Sequence, residues 1–352
     1  MSIVVANLFR FGLETWLLMR SQVIVIALAG AAVSCADQPV DLANFGPIDG
    51  GSSQDVVPAP IAPPDIVELE FDRCGDVLGG SLSGYAEPNN IRSLALRENR
   101  ALLVLRDQIV SLETEAGGCP IGPTLSFGVG GFLSVDAAFA VALSSNRSLV
   151  AAVDGTRLLD GNGSETQTCP GLVARFLSVG DGDMVVSAFT RSPIVLIDSS
   201  VSPCSSLEVQ LTPAPYAVVA VAARQSGGFY TAELSSRVSP LVLAKYDADG
   251  TRVASSSAFA SHQASKLCSV SGIVETSDGV FVVDTTCRRG ILFDADSLYS
   301  VAAVVFDDVP FGAALSSDGS SVSVALERLG EDGYYVELIS VGCARARTAR
   351  SD

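Results

Sequence analysis

Beyond residue 90, short apolar segments alternate with polar turns in a regular order. The turns between the first two segments of each unit are ENR at Asn99, SNR at Asn146, GDGD at Asp183, SGG at Gly228, SDG at Gly279 and SDG at Gly319. They recur about every 44 residues. Segments such as ALLVL (101–105) and VSVAL (322–326) are short and apolar, as buried strands are. The pattern therefore predicts repeated units of four strands.

A period of about 40–50 residues with four short strands is the sequence signature of a propeller blade. The predicted fold class is therefore all-β, a β-propeller with six blades. The first segment of each unit is rich in Ala, Val and Ser, and small side chains suit inner strands crowded round a central axis. Seven blades are the alternative, because residues 73–90 have room for further strands. Two packed β-sandwiches are a second alternative.

The two ends of the repeat complement each other. The last unit shows three strands, and residues 66–71 (IVELEF) form a strand that belongs to no unit. In that strand Val67, Leu69 and Phe71 share one face, and Glu68 and Glu70 share the other. If residues 66–71 supply the missing fourth strand, the ring closes without a bare edge. The sequence thus predicts a propeller over residues 66–343, closed by this strand and followed by a disordered tail at 344–352.

The stretch GVFVVDTTCRRGILFDAD (residues 279–296, with its core at 280–294) has a strand ending in Asp and a next strand ending in Phe-Asp. It resembles a blade of NHL-type and related six-bladed propellers, and LVLAKYDADGTRV has the same character. The resemblance extends over most of residues 66–341. It implies the shape of the domain and no particular activity.

The N-terminal region contains one apolar run, residues 23–33, preceded by Arg20. Eleven residues are too few to cross about 30 Å of hydrocarbon, but they fit the apolar region of a secretion signal. We take Met19 as the expected true start. The sequence Ala32-Val33-Ser34-Cys35 resembles the lipobox of bacterial lipoproteins, which implies that Cys35 is acylated and becomes the mature N-terminus. Plain signal cleavage after Ser34 is the alternative.

Residues 36–65 follow the signal segment (1–35) and contain six of the sixteen prolines and no Lys or Arg. Such a segment cannot bury enough apolar surface to fold, so a disordered linker is expected. A signal, a lipid on Cys35 and a linker together predict an exported protein, tethered at the bacterial envelope and most simply at the outer membrane. The only expected membrane contact is the lipid anchor.

Composition narrows the partners. The formal net charge is −17, which argues against nucleic acid, because phosphate binding needs clustered Lys and Arg. The single histidine, His262, excludes a multi-histidine metal site. It lies in a polar stretch and is expected to be a solvated loop residue. The expected partner is a protein or a glycan, with no cofactor.

Candidate chemistry is sparse. Asp247-Ala-Asp249-Gly250 begins like a calcium loop, but the residue at the twelfth place is Ala258 where an EF-hand needs Glu. We therefore predict ordinary turns there and at Asp181-Gly-Asp183. The predicted inner strands offer little beyond Glu275 and Asn90, which argues against a calcium-dependent, lactonase-like hydrolase. That enzyme is the alternative to the favoured function, a non-catalytic binding or scaffold module without catalytic, cofactor or metal residues.

Eight cysteines are present, and an acylated Cys35 leaves an odd number. Cys268 and Cys287 face each other if the hairpin turn centres on Ser277-Asp278, so they are a candidate disulfide. The group Cys119, Cys169 and Cys204 is expected in equivalent loops, each after the third strand of its unit. Partners among these three, Cys74 and Cys343 stay open.

Overall fold

The computed structural model describes residues 67–76, 91–105, 108–115, 119, 125–128, 139–143, 146–152, 155–169, 176–180, 183–188, 194–199, 204–259, 266–317, 319, 321–330 and 333–342. Residue contacts divide the chain after Ile61, and all described residues belong to the second unit, Ala62–Asp352. Their regular structure consists of β-strands and a short 3-10 helix at Ser256–Phe259. Among the described residues, no helix is long and apolar enough to cross a membrane.

The strands form six blades, each built on four antiparallel strands, and in blades one to five these four strands follow the chain from the inner to the outer strand. Two short strands come first, β1 (Val67–Glu68) and β2 (Phe71–Asp76). Blade one contains β3 (Ile91–Arg97), β4 (Arg100–Leu105), β5 (Gln108–Glu113) and β6 (Leu125–Gly128). Blade two contains β7 (Phe139–Ala142), β8 (Ser148–Ala152), β9 (Gly155–Leu159) and β10 (Glu165–Cys169). Blade three contains β11 (Phe176–Val179), β12 (Met184–Ala188), β13 (Ile194–Asp198) and β14 (Ser205–Val209).

The other three blades complete the ring. Blade four contains β15 (Ala217–Ala223), β16 (Phe229–Leu234), β17 (Val242–Tyr246) and β18 (Arg252–Ser255). Blade five contains β19 (Val270–Thr276), β20 (Gly279–Asp284), β21 (Arg289–Phe293) and β22 (Ser300–Val305). Blade six contains β23 (Val309–Leu315), β24 (Ser321–Gly330), β25 (Gly333–Gly342) and, as its outer strand, β2. The chain is a six-bladed β-propeller, as its repeat predicts.

All six predicted turns lie between the first and second strands of a blade. In four of them an Asn, Asp or Gly adopts the left-handed backbone that these residues tolerate best: φ is 59° at Asn146, 61° at Asp183, 83° at Gly228 and 72° at Gly319. The turn signals in the sequence therefore located the blades correctly.

The ring closes with an N-terminal strand, but not at the predicted residues. The outer strand of blade six is β2, and Phe71 pairs with Val341 in β25. The preceding strand β1 pairs in parallel with β22 and adds a fifth strand to blade five. The predicted alternation holds where side chains are described, since Leu69 is buried between exposed Glu68 and Glu70. Closure moves to residues 71–76 because the part before Phe71 packs against blade five instead.

The cores lie between neighbouring blades. One cluster joins Leu103 and Val110 of blade one to Val336 and Leu338 of blade six. Leu69 enters another cluster with side chains of blades five and six. Fully burying a side chain of this size contributes about 1.5–3 kcal/mol, so each seam is stabilised mainly by apolar contact.

Three disulfides are present among the described residues, in an arrangement that differs between blades. Cys74–Cys119 joins β2 of blade six to the loop after β5 of blade one, and Cys169–Cys204 joins the outer strand of blade two to the start of the outer strand of blade three. Two of the three therefore connect neighbouring blades. Cys35 and Cys343 lie outside the described residues.

The third bridge, Cys268–Cys287, is the pair that the hairpin argument favours, with Cα atoms 5.9 Å apart. A bulge between Val270 and Gly272 shifts the pairing of β19 and β20 by one residue. The disulfide still forms because both cysteines lie in loops just outside the paired strands. The prediction for Cys169 is wrong. It ends the fourth strand, because a tight turn at residues 160–164 starts β10 earlier than expected.

Candidate functional site

One face of the propeller carries all six turns between inner and second strands. Successive strands of a blade run in opposite directions, so the turns from third to fourth strands lie on the same side. We call this side the turn face. The opposite side carries the connections from second to third strands and from each blade to the next.

A cavity of about 300 Å³ lies on the central axis and opens among the residues of the turn face. Its walls come mainly from β3, β11, β15, β19 and β23, which identifies these as inner strands; the shorter inner strand β7 contributes Val141. The walls are mostly small or apolar, for example Ala95, Leu177, Val221 and Ile273. This volume is at the lower end of the range for small-molecule sites.

The inner strands of blades five, six and one approach one another closely. A Cβ at Gly272 would overlap the backbone of Gly312 and Ala313, and one at Gly312 would crowd Leu94. Gly312 also has a φ of 65° and donates its N–H to Ser271 Oγ at 3.1 Å. Glycine is required here because two backbones touch. The cavity is consequently narrowed on this side of the axis.

The mouth of the cavity at blades four and five is polar. The Tyr230 hydroxyl donates to Glu275 Oε1 at 3.0 Å, and the Gln225 N–H donates to Glu275 Oε2. Burial and then the neighbouring Glu275 carboxylate raise the pKa of Tyr230. Arg224 lies over the Tyr230 ring at 5.6 Å and donates to the Tyr246 carbonyl at 3.0 Å. Glu275 and Arg224 are therefore held in fixed positions.

At blades one to three the mouth carries a charge network that spans three blades. Arg97 extends from β3 of blade one across blade two to blade three, where it donates to the Gly180 carbonyl at 3.4 Å. Its Nη2 lies 3.3 Å from Asp183 Oδ1. Arg147 of blade two lies 3.3 Å from Asp183 Oδ2. Asp183 is almost fully buried, so one carboxylate holds arginines from two other blades.

The sequence placed some of these residues correctly and missed the role of others. Glu275 lies on an inner strand as predicted and lines the cavity. Asp247 and Asp249 form the predicted turn, and both accept the Thr251 N–H, at 2.8 and 2.9 Å. Asp183, expected to be only a turn residue, is the centre of the ion-pair network. His262, Asn90 and Asp181 lie outside the described residues.

Carboxylates around the cavity are dispersed. Glu98 and Glu275 line it from blades one and five, together with the Gln225 amide. In the described part of the chain, the group of three possible metal ligands lies elsewhere, at Cys268, Asp284 and Cys287. There the two sulfur atoms are bonded to each other, and the Asp284 oxygens accept N–H groups of the protein. That group therefore serves as a structural anchor.

Comparisons with known proteins assign no family to this chain. No family model matches the chain, and no curated protein matches it. Solved structures similar to it include the Pan2 WD40 domain of Neurospora crassa, with 11% identity over 71% of this chain and 74% of that one and a TM-score of 0.44. The RRP9 WD40 repeats share 12% identity over 71% and 80% of the two chains, with a TM-score of 0.47.

Apo AztD from Citrobacter koseri is also similar, with 12% identity over 67% of this chain and 66% of that one and a TM-score of 0.37. At such low identity and TM-score, these likenesses do not assign a function to this chain. The six-bladed assignment rests on the order of the strands in this chain.

Proposed function

We propose that this chain is an exported, lipid-anchored β-propeller that acts as a non-catalytic binding or scaffold module at the bacterial cell envelope. The turn face would bind a protein or a glycan, and the acylated Cys35 would be the only membrane contact. The observation that carries the proposal is the mouth of the cavity, where residues from several blades form one fixed polar surface.

Fixed side chains favour recognition, because a preorganised surface loses little conformational entropy on binding. Arg97 and Arg224 each make two or more polar contacts within the protein, as does Glu275. Apolar walls below a polar mouth are typical of ligand sites. The proposal therefore rests on a built surface rather than on a catalytic group.

Export is supported by the disulfides. Three bridges form among the described residues, and disulfides persist mainly in oxidising compartments. The apolar run at residues 23–33 and the lipobox-like Ala32-Val33-Ser34-Cys35 support a lipoprotein signal.

Two measurements test the proposal separately. Mass spectrometry of the native N-terminus should find Cys35 as the first residue and acylated; any other mature N-terminus rules out the lipid anchor. For binding, the tagged chain should capture the same partner from a membrane extract in wild type and in Arg288→Gln, which removes an exposed charge outside the cavity lining. Arg224→Gln at the mouth should lose that partner, and equal capture by both variants would contradict binding at the turn face.

A further inference from the structure

Three arginines gather on the turn face above blades one to three; we call Arg97, Arg100 and Arg147 the arginine cluster. Arg97 and Arg147 share the Asp183 carboxylate. Arg97 and Arg100 are directly opposite each other across the β3–β4 hairpin. Arg100 donates to Ser111 Oγ at 2.9 Å, and to the Arg147 carbonyl and Ser148 Oγ at 3.3 and 3.2 Å. The cluster thus places two cations on one buried carboxylate, with a third cation held against Arg147 and Ser148.

Arg100 is the least compensated of the three. Among the described residues, no carboxylate lies within ion-pair distance of Arg100. Glu113 of β5 is its direct partner in the pairing of β4 with β5. Burial lowers the pKa of Arg100, as expected for a guanidinium that loses water without gaining an anion. Within the described part of the chain, the buried Nε–H of Arg147 also has no acceptor. Counting only described residues, the cluster therefore has more positive charge and more hydrogen-bond donors than the acceptors around it use.

The cluster is accessible and adjoins the cavity. The side chains of Arg97 and Arg147 are 27% and 29% exposed. Arg97 also lines the cavity, and so does Gly180, whose carbonyl it contacts. Below this point the walls are apolar, with Leu94, Val141 and Leu177. A charged rim thus lies directly beside an apolar space.

We propose that the arginine cluster binds the oxyanion group, a carboxylate or a phosphate ester, of a small ligand whose apolar part enters the cavity. Guanidinium groups match the planar, two-oxygen geometry of such groups. The site does not depend on export or on a protein partner, so it can succeed or fail independently of the function proposed above.

The test measures binding of acetate, hexanoate, inorganic phosphate and hexyl phosphate to the purified full chain by calorimetry, with chloride holding the ionic strength constant. Hexanoate should bind more tightly than acetate, by up to about fourfold per added methylene. The carboxylate and phosphate arms identify which oxyanion is preferred. Equal affinity for acetate and hexanoate would overturn the role of the cavity, and no binding of any of the four would overturn the site.

Three variants locate the site. Arg100→Gln should weaken oxyanion binding about 10- to 100-fold, the usual range for one charged hydrogen-bonding partner. Arg288→Gln removes the same charge outside the cluster and should leave binding unchanged. Glu113→Gln removes an exposed acid beside Arg100 and should tighten binding, which keeps the test decisive if Arg100→Gln does not fold. Equal effects of Arg100→Gln and Arg288→Gln would show general charge screening and contradict the proposal.

Discussion

Blades four and five each bury an acidic residue near the end of the second strand, and the two residues bind different kinds of partner. Glu233 in β16 accepts Thr231 Oγ1 at 2.7 Å and the Tyr246 hydroxyl at 2.8 Å, and pairs with Arg252 at 3.2 Å. All three partners belong to the same sheet. Glu233 therefore connects strands that the backbone ladder already joins.

Asp284 in β20 connects loops instead. It accepts the backbone N–H of Cys268 at 3.0 Å and of Ser269 at 2.9 Å, both in the segment that enters blade five. Arg289 Nη2 pairs with it at 3.3 Å. The disulfide Cys268–Cys287 joins the same loops. From this comparison we expect a buried acid to contribute most to stability where it holds loop segments that no ladder joins.

The largest expected effect is that of Asp284→Asn. The new amide would direct its NH₂ group toward N–H donors that now bind a carboxylate oxygen. Because Asp284 is fully buried, water cannot take the place of the lost acceptor. Breaking a buried charged network in this way costs about 3–5 kcal/mol. Denaturation in urea, analysed for the free energy of unfolding, measures the loss.

Glu233→Gln is the matched control in blade four. Its carboxamide oxygen can still accept the Tyr246 hydroxyl, and Arg252 is 30% exposed and can be hydrated. We expect a smaller loss of about 1–3 kcal/mol. A loss as large as that of Asp284→Asn would contradict the distinction between loop and sheet anchors.

Removing the disulfide of blade five should have the next largest effect. Cys268→Ser with Cys287→Ser opens a bridge with a sequence separation of 19, for which loop-closure entropy predicts about 3 kcal/mol. Because the bridge and Asp284 hold the same loops, combining this change with Asp284→Asn should cost less than the sum. A fully additive result in a double-mutant cycle would show that the two act independently.

The smallest expected effect concerns alkaline pH and belongs to blade four. Burial and then Glu233 raise the pKa of Tyr246 above its ordinary value of 10.0. The folded state therefore favours the neutral phenol. This contribution to stability is complete below pH 10.0 and is lost as the pH rises above it, because the unfolded chain ionises first.

Tyr246→Phe tests this contribution. The variant should be less stable than wild type at neutral pH, since it lacks the hydrogen bond to Glu233. Its free energy of unfolding should then fall less steeply above pH about 10. The same slope in both proteins would remove Tyr246 as the cause.

Local signals explain how much of the fold the sequence could predict. Turns such as that at Gly279 are specified by residues adjacent in sequence. The number and positions of the blades could therefore be predicted from the spacing of these turns. The parallel pairing of β1 with β22 had no such signal. Strand β1 is only two residues long, and nothing in so short a segment indicates which neighbouring strand it pairs with.

The same reasoning applies to the site. Glu275 was recognised from its place on an inner strand. The Arg97–Asp183–Arg147 network was missed because its members come from three blades and only the folded ring brings them together. Cys74 and Cys119 could not be paired for the same reason, since their bridge spans the seam between the last and the first blade.

That seam determines how the domain responds to a pull on its N-terminus. Tension enters through β1 and reaches β2, which could be peeled from β25 one hydrogen bond at a time from Phe71 onward. Peeling stops at Cys74, because its disulfide transfers the force to blade one. A pulling force can therefore separate only the first few residues of β2 from β25. Beyond them, opening the ring requires the disulfide to break or blade one to unfold.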